Sequence, residues 1–119
     1  MVALVKTRVS QINGCAYCLH MHTQEALQAG EQEVRLHLLD AWRESAMYWE
    51  RERAALSWAE TLTNIAQTHA PDHTYVEVQR QFSEKELADL SIAIAMINAW
   101  NQLAIGSRAT HHADVKRAT

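Results

Sequence analysis

The stretch LSIAIAMINAWNQLAIG, residues 90–106, contains no charged residue and decides the fold class. It is shorter than the roughly twenty apolar residues that a membrane-spanning helix needs. It also contains the polar residues Asn98, Asn101 and Gln102. A helix that is apolar on all sides packs inside other structure. We therefore expect residues 90–106 to form a buried central helix and not a membrane span.

The rest of the chain is also typical of an all-α protein, because Gly and Pro are scarce while Ala, Leu, Glu and Gln are common. Two capping boxes, Thr74 with Glu77 and Ser83 with Glu86, mark the starts of the last two predicted helices. The sequence predicts about five to six helices in all. They span residues 2–13, about 16–28, about 31–43, about 50–68, about 74–81 and 84 to about 106.

Length, charge and cysteine content limit the function. A chain of 119 residues predicts one helical domain over residues 1–110, followed by a polar tail over 111–119. The net charge of −3 and weakly basic flanks argue against nucleic-acid binding. The first apolar run ends at Lys6, so no signal peptide is expected. Only two cysteines are present, so a disulfide-built secreted domain is not expected either, and the predicted location is the cytoplasm.

The two cysteines lie in the stretch CAYCLHMH, residues 15–22. This stretch follows Gly14, where one predicted helix ends and the next begins. The free amides and the dipole at a helix start stabilise an anion, and the thiolate is the reactive form of cysteine. Cysteines with this spacing can also close into a disulfide after one of them is oxidised.

The histidines of this stretch differ in position. Cys18 and His22 share one face of a helix, so His22 could take or return the thiol proton. His20 faces elsewhere, and no second pair of ligands completes a zinc site. The residues favour a redox dithiol, although a zinc site and two packing cysteines remain open. We expect neither a metal nor another cofactor.

Polar residues elsewhere have two interpretations. Asn98 and Asn101 could shape a pocket near the thiols, but hydrogen bonds across a helix interface are the more common role of buried amides. Ser10, Gln11 and Asn13 precede the cysteines and could orient His22 or a water molecule.

The stretch RVSQINGCAYCLHMHT resembles the active-site segment of the alkylhydroperoxidase D-like, or carboxymuconolactone decarboxylase, family. The resemblance continues through DAWRES, ERAALSWAETLT and FSEKELADLSIAIAMINAWNQLAIG. It implies an all-α fold, assembly as a homo-trimer or homo-hexamer, and reduction of hydroperoxides. In the terms of the family, Cys18 is the peroxidatic thiol, Cys15 the resolving thiol and His22 the proton relay. The helix position alone would favour Cys15 as the more acidic thiol.

The chain departs from the family pattern at several points. Ala3 occupies the position of a glutamate that supports the relay histidine in the family, and Tyr17 replaces a frequent histidine. Members usually carry a further helical segment before the motif, so the domain is expected to be a shortened one. Because no carboxylate precedes Glu25, we expect weak activity that depends on His22 and that Ala3→Glu would raise.

The resemblance implies a thiol-dependent peroxidase in antioxidant defence, with a hydroperoxide substrate and an external dithiol reductant of the lipoyl type. Two alternatives remain. One is a decarboxylase-type lactone enzyme that would not need its cysteines, and the other is a non-catalytic thiol redox sensor.

Overall fold

The computed structural model describes residues 1–111, and these residues form helices and no strand. The all-α prediction is therefore confirmed. The predicted tail over 111–119 lies, except for His111, outside the described residues. The helices are α1 Val2–Asn13, α2 Ala16–Gln28, α3 Glu33–His37, a 3-10 helix Leu39–Glu44, α4 Glu50–Thr63, α5 Ile65–Thr68, α6 Asp72–Gln81 and α7 Glu84–Gly106.

Some predicted helices are broken or begin elsewhere. The helix expected over 31–43 is divided at Leu38, where α3 gives way to the 3-10 helix, and the helix expected over 50–68 is divided at Asn64. The Thr74 capping box is wrong, because α6 already begins at Asp72 and the Thr74 hydroxyl donates to the carbonyl of Pro71. Such local breaks leave the periodicity of apolar residues almost unchanged, so the sequence does not reveal them.

The capping box at the start of α7 is confirmed. The Ser83 hydroxyl accepts a hydrogen bond from the Glu86 backbone N–H at 3.2 Å, and the Glu86 carboxylate accepts one from the Ser83 N–H at 2.9 Å. These two bonds fix the start of the longest helix in the described part of the chain.

The core lies on both sides of α1. Val5 and Val9 of α1 pack with residues of α4, α6 and α7, while Leu4 packs with residues of α2, α3, the 3-10 helix and α4. Helices α1 and α4 therefore both contribute to the two halves of the core. The two cysteines lie where α1, α2 and α7 meet.

Helix α7 is not the buried central helix that its sequence predicts. Leu90, Ile94 and Ile97 are buried against the core. The opposite side of α7 is apolar and open to solvent in the single chain. We call this side the apolar stripe of α7; its residues, with the exposed fractions of each, are Ile92 (61%), Met96 (52%), Trp100 (58%) and Leu103 (61%).

No helix in residues 1–111 is long and apolar enough to cross a membrane.

Candidate active site

Gly14 places the two cysteines. It ends α1 with a φ of 71°, a left-handed conformation that glycine adopts without the strain of a side chain. The backbone N–H of Cys15 then donates to the carbonyl of Ser10 at 3.1 Å, which turns the chain directly into α2. Cys15 is thereby the N-cap residue of α2.

The two thiols lie at the start of α2 and are both free and buried. Each is 1% exposed. The Cys15 sulfur accepts a hydrogen bond from the backbone N–H of Cys18 at 3.3 Å. A negatively charged sulfur would strengthen this bond, because a free amide at a helix start favours an anion. The two cysteines are thus close enough in the chain and in space to act together.

Cys18 is a protonated thiol at neutral pH. The pKa of this thiol is raised to about 11, chiefly by burial and next by the hydrogen bond with Cys15. A hydrogen bond from the Asn101 side chain acts in the opposite direction. A thiol with such a pKa reacts quickly only if a neighbouring base removes its proton.

His22 is the candidate base. It lies one turn after Cys18 on α2 and is only 3% exposed. Its Nδ1 is 3.1 Å from the carboxylate oxygen Oε2 of Glu25. Its Nε2 is buried and has no hydrogen-bond partner among the described residues. One ring nitrogen is therefore held by a carboxylate, while the other is free to accept a proton.

Glu25 is the site residue that the sequence prediction missed. The sequence predicts that His22 lacks a supporting carboxylate, because Ala3 replaces the family glutamate and no acid precedes Glu25. That premise is wrong, because Glu25 itself, three residues after His22, contacts the ring. The spacing i, i+3 on one helix was the available signal.

A cluster of amide side chains, of which Asn101 is fully buried, joins α1 to α7. The Asn101 side chain donates to the Ser10 hydroxyl at 3.1 Å, and the Asn13 side chain donates to Asn101 and Asn98 at 2.9 Å each. Asn98 also donates to Thr63 of α4 at 3.1 Å. The prediction that Asn98 and Asn101 bond across helix interfaces is confirmed.

The residues before the motif make no hydrogen bond to His22 within residues 1–111. Ser10 and Asn13 belong to the amide cluster, and the Gln11 side chain accepts a hydrogen bond from Arg8 at 3.0 Å. The alternative role that the sequence left open, in which these three residues orient His22 directly, therefore has no support in the hydrogen bonds of residues 1–111.

Two cavities approach the site from different sides. The larger, of about 550 Å³, is lined by His22 and Glu25 together with Tyr17 and apolar side chains of α7. The smaller, of about 340 Å³, is lined by Cys15, Tyr17 and residues at the end of α7. Tyr17 borders both cavities. The larger cavity therefore borders the candidate base His22, and the smaller cavity borders Cys15.

The zinc alternative finds no support in the described part of the chain, where no group of three or more Cys, His, Asp or Glu residues could hold a metal ion. His20 lies apart from the thiols, with its ring centroid 5.1 Å from that of His111. The sequence correctly predicted that His20 faces away from Cys18 and His22.

Comparisons with known proteins agree with this architecture. Residues 1–61 match the model of the Carboxymuconolactone decarboxylase family. The uncharacterised protein YdfG of Bacillus subtilis is 44% identical over 108 residues, which cover 89% of this chain and 74% of that protein. An uncharacterised protein of Mycobacterium tuberculosis is 30% identical over 102 residues, which cover 86% of this chain and only 35% of that protein.

A solved structure extends the comparison to the fold. It is the crystal structure of a protein of unknown function from Agrobacterium tumefaciens, described as a candidate antioxidant defence protein AhpD. It has a TM-score of 0.92 and 42% identity, and the match covers 95% of this chain and 77% of that one. The chain has an AhpD-like all-α fold and belongs to the carboxymuconolactone decarboxylase family.

Proposed function

We propose that this protein is a thiol-dependent peroxidase that reduces organic hydroperoxides through Cys15 and Cys18. The observation that carries the proposal is the arrangement along α2, in which two free thiols are followed by a buried histidine with one ring nitrogen held by a carboxylate. Two thiols that can form a disulfide and a base that can ionise one of them are what two-electron peroxide reduction requires. The description of the similar Agrobacterium protein as an antioxidant defence candidate points in the same direction.

The proposed reaction has two steps within the protein. His22 takes the proton of Cys18, and the thiolate attacks the terminal oxygen of the hydroperoxide and breaks the O–O bond. Cys18 becomes a sulfenic acid, and the departing alkoxide takes the proton from His22 and leaves as the alcohol. The Cys15 thiol then attacks the sulfur of the sulfenic acid, which forms the disulfide and releases water.

Cys18 is the proposed attacking thiol, and the assignment depends on its partner. His22 shares its helix face, being four residues away, whereas Cys15 lies at the helix start with its sulfur bonded to a backbone amide. The raised pKa of Cys18, caused by burial, makes this base necessary. Cys15, which borders the smaller cavity, is the proposed resolving thiol.

An external dithiol restores the pair. Its two thiols give two electrons and two protons to the Cys15–Cys18 disulfide and leave as a disulfide themselves. The family resemblance points to a lipoyl-type donor. The cavity beside Cys15 gives such a donor a route to the disulfide that does not pass through the larger cavity at His22.

Association of several copies is part of the proposal. The apolar stripe of α7 exposes more large apolar side chains than a small monomer usually leaves in contact with water. Burial of this stripe between copies would remove that surface, which supports self-association, and the family resemblance points to a homo-trimer or homo-hexamer.

Consumption of an organic hydroperoxide in the presence of a dithiol donor tests the proposed function. The parent protein should turn over, and alkylation of both thiols should abolish turnover. Turnover of a lactone that survives alkylation would support the decarboxylase alternative. A single oxidation without further peroxide consumption, despite excess donor, would support the redox sensor.

A further inference from the structure

The contact between His22 and Glu25 is unusual because the two side chains differ in burial. The imidazole is 4% exposed, whereas the Glu25 side chain is 47% exposed, at the edge of the larger cavity. The charged partner remains in water, while the base lies in an apolar setting. This arrangement avoids the desolvation of a buried carboxylate and still gives the ring a fixed acceptor.

We infer that Glu25 is a positioning residue that fixes the tautomer of His22. This inference rests on the proposed peroxidase function. A carboxylate only accepts hydrogen bonds, so the contact at 3.1 Å requires the proton of the neutral ring to be on Nδ1. Nε2 then carries a lone pair and can receive the Cys18 proton. Without the acceptor, the ring could place its proton on Nε2 and could no longer act as a base there.

The other ring nitrogen, Nε2, is not engaged by any described residue, Cys18 included. This atom is buried and lacks a hydrogen-bond partner in residues 1–111. Unpartnered buried polar atoms are rare, because each loses the hydrogen bonds that water would give it. An unpartnered Nε2 can accept a proton, such as the proton of the Cys18 thiol.

Among the described residues that line the larger cavity, Glu25 is the one that hydrogen-bonds the His22 ring. The side chains of α7 that line it are Ala93, Met96, Ile97 and Trp100, none of which titrates. From α1 the cavity receives Lys6, which is a hydrogen-bond donor in its charged form. Tyr17 of α2 completes the titratable groups of the lining. Glu25 is thus the carboxylate of this cavity.

Nitrogen-15 NMR of the His22 ring tests the tautomer directly. The parent protein at mildly alkaline pH should show a protonated Nδ1 and an unprotonated Nε2. Glu25→Ala should move the proton toward Nε2, whereas Glu25→Gln should preserve the parent tautomer, because the amide oxygen can still accept the bond. If Glu25→Ala leaves the ring shifts unchanged, the inference is wrong.

Single-turnover oxidation of the thiols by an organic hydroperoxide tests the consequence. We expect Glu25→Ala to slow oxidation about 10- to 100-fold and Glu25→Gln to recover part of the loss. The matched control is Glu33→Ala, which removes the exposed Glu33–His37 contact of 3.4 Å on another helix and should leave the rate unchanged. In a His22→Ala background, Glu25→Ala should have no further effect. An equal further loss in that background would overturn the positioning role.

The two experiments separate this inference from the proposed function. If no variant reacts with hydroperoxide, the peroxidase proposal fails, while the ring shifts still decide whether Glu25 fixes the tautomer. If the parent reacts quickly but Glu25→Ala changes neither the shifts nor the rate, the peroxidase proposal stands and the role of Glu25 is refuted.

Discussion

Replacement of Asn101 by alanine should weaken the attachment of α7 to the thiol end of α1. The change removes the bond to the Ser10 hydroxyl at 3.1 Å and the bond from Asn13 at 2.9 Å. Ser10 is fully buried, and loss of its donor should cost about 1–3 kcal/mol. Asn13 keeps its bond to Asn98, so the loss there should be about 1 kcal/mol. We therefore expect the free energy of unfolding to fall by about 2–4 kcal/mol.

The same substitution should affect the thiol. The Asn101 side chain lowers the pKa of Cys18, so its removal should raise this pKa above its present value of about 11. Alkylation of Cys18 at neutral pH should then be slower than in the parent. Stability and reactivity should therefore change together, because one amide supports both the helix contact and the thiol.

Urea unfolding followed by circular dichroism, at one fixed protein concentration, measures the stability change. The matched control is Gln102→Ala, which removes an exposed amide from the neighbouring position of α7. A double-mutant cycle with Ser10→Ala should show a clear interaction energy between the two sites. If Asn101→Ala and Gln102→Ala unfold at the same urea concentration, the amide cluster does not hold the helices together.

Three further predictions concern pH, Ala3 and the apolar stripe. The folded protein holds the Cys18 proton to higher pH than the unfolded chain, so stability present below about pH 9 should be lost as pH rises through about 11. Urea midpoints over this range should fall more in the parent than in Cys18→Ala, and parallel curves would contradict the buried thiol. Ala3→Glu should not raise the peroxidase rate, because Glu25 already contacts His22. The same substitution should lower the urea midpoint, because Ala3 packs against a buried apolar cluster. A faster Ala3→Glu enzyme would show that Glu25 does not replace the family glutamate. Trp100→Asp should reduce the sedimentation coefficient, whereas Trp49→Asp, at a still more exposed position outside the stripe (74% against 58%), should not. The same assembly in both variants would refute the stripe as an interface.

The sequence predicted the helical architecture well where the signals are local. Gly14 fixed the break between the first two helices, and the Ser83 capping box fixed the start of α7. Predictions failed where tertiary contacts decide. The uncharged helix α7 is not central, because composition cannot show which side of a helix meets the core, and α1 and α4 are the helices that reach both core clusters.

The candidate site was predictable only where its residues form a local sequence pattern. Cys15, Cys18 and His22 form a local pattern whose chemistry follows from residue type and spacing. The family resemblance places the supporting carboxylate at the position of Ala3, and it therefore does not point to Glu25. The burial of both thiols, which raises the pKa of Cys18, depends on packing against α1 and α7, and a sequence pattern does not reveal it.

The intact mass of the protein after treatment with one equivalent of an organic hydroperoxide tests the redox centre most directly. The parent should lose two hydrogens and both free thiols, because Cys15 condenses with the sulfenic acid formed on Cys18. Cys15→Ser should instead gain one oxygen on Cys18, since no resolving thiol remains. A parent protein that keeps its mass and both thiols under these conditions would contradict the proposed peroxidase cycle.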